Sequence, residues 1–184
     1  MSAGNIFQAY AFVDGAYLRA EGAKLSVPYP NPRMVVHWVV GAVQSVGVGV
    51  LLRRTSYYDA DPSDQSSLPV VEQYWQFVEN QFDTELRFGE VRGKPKRQKG
   101  VDVLLAVDML SASSRQLFDV AVLISGDADF VPLIREVRRL GVTVVVAGVK
   151  STTARDLQIA ADRFVPLDSS SCPAWSQEPF NPVL

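Results

Sequence analysis

The stretch VAVLISGDADFVPLIREVRRLG, residues 120–141, carries the decision about fold class. Residues 120–124 form an unbroken apolar run, which is how a central parallel strand reads when both of its faces are covered. The run stops at Ser125-Gly126-Asp127-Ala128-Asp129, a turn bearing two carboxylates. Asp129 stands where a cap belongs for a helix running through Leu140, and Gly141 supplies the stop. Residues 142–147 are a second buried run. A strand, a helix and a strand joined this tightly make a parallel unit.

The same alternation recurs on both sides. Upstream, residues 8–13 read as a strand halted by Asp14-Gly15, with a short helix possible from Ala16. Asn31 caps a helix whose first position is Pro32 and which runs to about Ser45. Residues 50–58 have strand composition and close at Tyr58-Asp59. In residues 68–82, Val70, Val71, Tyr74, Phe77, Val78 and Phe82 recur at helical spacing, and residues 85–91 alternate as a third strand. Residues 92–99 carry five positive charges in eight positions and read as an exposed basic loop. Residues 100–111 read as a helix with Val103, Leu104, Val107 and Leu110 inward. Residues 153–160 and 164–167 suggest a last helix and an edge strand. One domain over residues 1–167 and a Ser/Pro-rich, poorly structured tail over 168–184 are expected. This is an α/β chain, Rossmann-like, with a mainly parallel central sheet and helices on both faces. Ligands of such sheets bind beyond the carboxyl ends of the strands, a rule that brings Asp14 and Asp127 together.

Bulk properties bound the function. A chain of 184 residues with 47% hydrophobic and 21% charged residues closes around a proper core. A net charge of −2 argues against a binder held by nonspecific attraction to phosphates. The single cysteine, Cys172, permits neither an internal disulfide nor a Cys-rich zinc site. The N-terminal apolar stretch is broken by Asp14, and the longest other runs fall short of the roughly 20 residues of a membrane span. A cytoplasmic protein without membrane association is expected.

Four acids stand near the strand ends: Asp14, Asp102, Asp127 and Asp129. Taken singly, an aspartate after a strand is most often a cap or turn residue. Together they repel, by about 3 kcal/mol for a pair roughly 5 Å apart at an effective dielectric near 20. A cation relieves that repulsion, and an all-oxygen site suits Mg²⁺ or Mn²⁺. A hydrated ion of this kind suits phosphate chemistry and requires no protein nucleophile, so the lone His37 is not needed. Neither G-x-G-x-x-G nor G-x-x-x-x-G-K-[ST] occurs, which removes the dinucleotide and P-loop readings.

The segments AFVDGAYL, YYDA, KGVDVLLAVDML, VAVLISGDADFVPLIREVRRLG and ARDLQIAADRFVPL together resemble the LabA-like branch of the NYN domain, over roughly residues 9–167. The spacing of KG-x-D and SGD-x-DF is the specific part of the match. The resemblance implies a PIN-like fold and a metal-dependent ribonuclease, with Asp14, Asp102 and Asp127 as the core acids binding Mg²⁺ or Mn²⁺ and Asp129 as the outer one. Asp108 also recurs in the family pattern. It lies six residues from Asp102, about 120° around a helix, which suits a supporting role. One position departs from the family: Tyr17 stands where an Asn is usual.

RNA, single-stranded or structured, is the expected partner. Lys96, Arg97 and Lys99 lead into Asp102 and are placed to hold a phosphate backbone. Tyr17, Tyr57 and Tyr58 are candidates to stack an unpaired base. Ser125 joins the substrate-binding set as a hydrogen-bond donor, not a nucleophile, since no histidine base follows it. Asp59 reads as a turn residue at the pocket rim, and Trp38 and Trp75 as core. A homodimer is compatible with a small α/β domain, but no residue pattern specifies one. The alternative is a noncatalytic RNA- or protein-binding module on the same fold, motivated by Tyr17 and the acidic balance.

Overall fold

The computed structural model describes residues 6–45, 49–60, 68–89, 91–92, 97–98, 100–168 and 172–182. Its elements run β1 (Ile6–Asp14), α1 (Gly15–Lys24), α2 (Pro32–Gln44), β2 (Gly49–Asp59), α3 (Leu68–Glu79), β3 (Thr84–Phe88), β4 (Val91–Arg92), β5 (Arg97–Gln98), α4 (Val101–Ser114), β6 (Val120–Ile124), α5 (Val131–Arg139), β7 (Thr143–Gly148), α6 (Arg155–Ala160) and β8 (Arg163–Pro166). Six of the strands form one parallel sheet in the order β3-β2-β1-β6-β7-β8. The chain starts at the centre, winds outward through β2 to β3, returns to place β6 beside β1, and winds outward the other way. The helices of the two halves pack on opposite faces of the sheet, as crossovers of a single hand require. Val13, Leu18, Val36, Tyr74 and Val122 pack on the α1–α3 side. Phe12, Leu105, Met109, Leu123 and Ile134 pack on the α4–α6 side. All five residues of β6 are buried, as a strand covered on both faces requires. Among the described residues, no helix is long and apolar enough to cross a membrane.

The structure corrects several local expectations. The helix α4 buries Leu105, Met109 and Ser113, whereas Val103, Val107 and Leu110 are exposed and Leu104 is half-buried. Its sequence VDVLLAVDMLSASS carries apolar residues nearly all round, so two stripes compete, and only contact with the sheet selects one. Asp127, not Asp129, does the capping after β6. Its carboxylate accepts from the Asp129 amide, forming a single 3-10 turn over Ala128–Phe130 before α5 begins at Val131. The supposed basic loop contains a short antiparallel pairing of β4 with β5, Arg92 opposite Arg97.

The tail also packs. Cys172, Ala174 and Trp175 are buried, a 3-10 turn spans Pro173–Ser176, and the Trp175 indole donates to the Leu167 carbonyl at 2.7 Å. Phe180 then sits against Tyr29, Tyr74 and Phe77. The prolines that suggested disorder shape a segment whose few aromatics anchor it; burial pushes the Cys172 thiol up to about 11.

Candidate active site

The strand order reverses between β1 and β6, and their carboxyl ends open a crevice there. Asp14 is the last residue of β1 and the cap of α1: one carboxylate oxygen accepts from the Tyr17 amide at 3.0 Å. The other accepts from Ser125 Oγ at 3.0 Å. Ser125 Oγ in turn receives the Asp127 amide at 3.3 Å, and Asp127 Oδ1 receives the Asp129 amide at 2.9 Å. A relay of hydrogen bonds thus holds the carboxylates of Asp14 and Asp127, and the backbone of Asp129, at two adjacent strand ends. Asp102 comes from a third element, the first turn of α4, where the helix dipole favours a negative charge. Asp14, Ala16, Asp59, Ala60, Gly100 and Asp102 line a pocket of about 110 Å³.

These acids feel one another. Burial raises the pKa of Asp14, the Tyr17 and Ser125 hydrogen bonds counteract it, and the charges of Asp102 and Asp127 raise it further. Asp102 is raised by desolvation and then by Asp127 and Asp129. The groups that shift Asp102 are all acids, so the crevice concentrates negative charge. Among the described residues, no three His, Cys, Asp or Glu side chains close around one point as ion ligands. In charge and donor hardness the set nonetheless fits a divalent cation. Asp102, Asp127 and Asp129 are exposed, and Asp14 is half-buried.

Other sequence candidates fall elsewhere. Ser125 is fully buried and its hydroxyl donates to Asp14, so here it orients an acid. Tyr57 and Tyr58 are fully buried and cannot stack a base. The Tyr17 hydroxyl accepts from the Val149 amide at 2.9 Å and bonds Thr153 Oγ1 at 3.1 Å. Its ring lies so close to Gly126 that a β-carbon there would stand 2.6 Å from Cε2, while one on Gly148 would stand 2.7 Å from the hydroxyl. Tyr17 is a wedge joining α1 to the loop after β7, which needs glycine at both flanking positions. Asp108 lies on the other flank of α4 from Asp102, accepts from the Tyr58 hydroxyl at 3.1 Å and pairs with Arg87 at 3.0 Å. His37 is exposed on α2, Trp75 is buried and Trp38 half-buried. Arg97 lies in β5, and Lys96 and Lys99 lie outside the described residues.

Sequence reasoning missed one residue pair entirely. Asp59 is buried and takes Arg19 through both carboxylate oxygens, together with the Trp75 indole at 2.8 Å and the Ala60 amide at 2.9 Å. It is a fully satisfied buried ion pair forming one wall of the acidic pocket, not a turn residue on its rim. The strand-end position of Asp59 was the visible signal; its partner, forty residues earlier in the chain, left none.

The comparisons with known proteins agree with this fold. A crystal structure of a protein of unknown function from Vibrio parahaemolyticus superposes with a TM-score of 0.70 at 19% identity, over 93% of this chain and 99% of that one. At that identity the likeness establishes the fold alone. Comparison with curated proteins gave no match. The family model for the NYN domain matches residues 9–168. That span begins in β1, ends just past β8 and takes in every acid of the crevice, and by it this chain belongs to the NYN domain family, with a PIN-like, nuclease-type fold.

Proposed function

We propose that this chain is a ribonuclease that hydrolyses phosphodiester bonds at the β1/β6 crevice, with Mg²⁺ or Mn²⁺ held by Asp14, Asp102 and Asp127. The observation carrying the proposal is the electrostatic coupling of carboxylates from three separate elements at one sheet switch point. Such an arrangement costs stability unless something cationic occupies it. The ion, when bound, supplies a Lewis acid and a water of lowered pKa, the two requirements of phosphodiester hydrolysis.

The residues of the chain do the rest. Ser125 and the Tyr17 amide fix the Asp14 carboxylate from two directions at the wall of the acidic pocket. Asp127 and Asp102 approach from the flanks, and Asp129, exposed one turn further on, is placed to hold a water or an outer ion. The Arg19–Asp59 pair ties the β2 end to α1 beside the crevice.

The test is multiple-turnover cleavage of mixed RNA with Mn²⁺ or Mg²⁺. EDTA should stop it, and Asp127→Asn should lower it by more than the ~10–100-fold typical of outer partners of a metal site. Cleavage that survives EDTA, or is unchanged in Asp127→Asn, overturns the mechanism. The second reading, a noncatalytic RNA-binding module, draws on the open arrangement of the acids. It predicts RNA binding without turnover under the same conditions.

A further inference from the structure

Beside the candidate site, the described residues leave part of the β2–β3 face of the sheet open along α4. Helices α4–α6 pack over β1, β6, β7 and β8, α4 also meets β2 at Tyr58, and the outer part of this face on β2 and β3 forms one wall of a groove whose other wall is α4. Three arginines converge there: Arg54 from β2, Arg87 from β3 and Arg115 from the end of α4. A shift of register opposite Ala9 and Tyr10 leaves Arg53 as an extra residue in β2. This bulge lets Leu52 pack into one core while Arg54 faces the groove, 5.7 Å above the Tyr10 ring. The groove measures about 180 Å³.

The charges in the groove do not cancel. Glu85 and Asp108 both engage Arg87, at 3.1 and 3.0 Å. Arg54 reaches Glu85 only at 3.6 Å, with both side chains about half exposed, a contact of small worth. No ion pair holds Arg115 among the described residues. Three cations against two carboxylates leave a positive groove on a chain of net charge −2. Its floor is aromatic, and Asp108 on its wall lies on the same helix as Asp102, about 9 Å along the axis at 1.5 Å per residue. The groove therefore runs away from the acidic crevice along α4.

We propose that this groove is a second binding site, taking the phosphodiester backbone of the single strand whose reacting phosphate lies at the acids. This rests on the reading of the crevice as a nucleic-acid site. Arg54 and Arg115 hold phosphates, and Arg87, pinned by two acids, keeps the walls apart. An acidic peptide would match the charge of the arginines but has no phosphodiester to place at the crevice, to which α4 links the groove.

The experiment is fluorescence anisotropy in EDTA, so that binding is measured apart from cleavage, with a single strand of about 10 nucleotides, within the usual ~4–16 of a single-strand site. Arg54→Gln and Arg115→Gln should each weaken binding by roughly tenfold and lower the salt slope by about one. A dinucleotide is too short to reach the groove, so its binding should be far less sensitive to either variant than that of the strand. Arg115 is exposed at a helix end, so its variant keeps the fold, and a matching Tm checks both proteins. Wild-type affinity in both variants overturns the proposal, as does equal loss with the dinucleotide, binding of a mononucleotide as tight as the strand, or binding of polyglutamate as tight as the strand. A chain that binds the strand through these arginines but never cleaves it sinks the ribonuclease reading and leaves the groove intact.

Discussion

Ser125 Oγ donates to Asp14 Oδ2 at 3.0 Å across adjacent strands 111 residues apart in sequence, and this bond ties together the two halves of the doubly wound sheet at the point where their order reverses. It also lowers the pKa of an acid that burial raises. Ser125→Ala should therefore cost about 1.5–3 kcal/mol, the range for a hydrogen bond to a charged group, when unfolding is followed in urea. It should also raise the Asp14 pKa further and weaken Mn²⁺ binding in calorimetry. Stability unchanged within error would mean the bond contributes nothing.

The raised Asp102 has a pH signature. Between the ordinary 3.8 and its raised value, the folded state keeps a proton that the unfolded state has released. The stability this group contributes is thus present at low pH and falls as pH rises through that window; at neutral pH the ionised acid is a cost. In EDTA at pH 7, Asp102→Asn should melt above wild type, with the gap narrowing as pH falls toward 3.8. Mn²⁺ should reverse the order by stabilising wild type alone, by about 2.7 kcal/mol at a hundredfold excess over its dissociation constant. A variant that melts below wild type in EDTA contradicts the account.

Asp59 and Asp127 separate stability from chemistry. Removing one partner of a buried ion pair strands the other, so Asp59→Ala should lose about 3–5 kcal/mol. Arg19 and the Trp75 indole would both lose their acceptor. Asp127→Asn, at an exposed position, should leave stability within about 0.5 kcal/mol while abolishing activity. Chemical denaturation of the two variants side by side decides this.

The Tyr17 wedge predicts non-additivity. Gly126→Ala drives a methyl to 2.6 Å from the Tyr17 ring and 3.1 Å from the Thr152 carbonyl, and should destabilise by about 1–3 kcal/mol as an overpacking change. Tyr17→Ala removes the ring and with it much of that clash. The double variant should therefore be more stable than the sum of the two single losses by at least about 0.5 kcal/mol. Simple additivity in a thermal-unfolding cycle would show that the ring yields freely.

The strands were legible because each is a short apolar run stopped by a polar turn, and β6 with its SGDAD turn is the plainest case. The Asn31 cap was equally legible, since its side chain accepts from the Arg33 amide two residues away and needs nothing distant. The inward face of α4 was not, because a helix apolar nearly all round offers two stripes of similar quality. Nor was the tail: its serines and prolines dominate composition, while Trp175 and Phe180 bury themselves only once α2, α3 and β8 have formed a surface to receive them.

By itself, then, the sequence determined the parallel α/β class, the strand ends and the identities of the acids that stand there, because each depends on patterns a few residues long. Only the tertiary structure decided which side chains those acids meet. Ser125 on Asp14, Arg19 on Asp59, Tyr17 between two glycines and Asp108 on Tyr58 are contacts between strands and helices that the sheet order places side by side. Burial and charge at the crevice follow from that order, and they are properties of neighbours in space that no local pattern encodes.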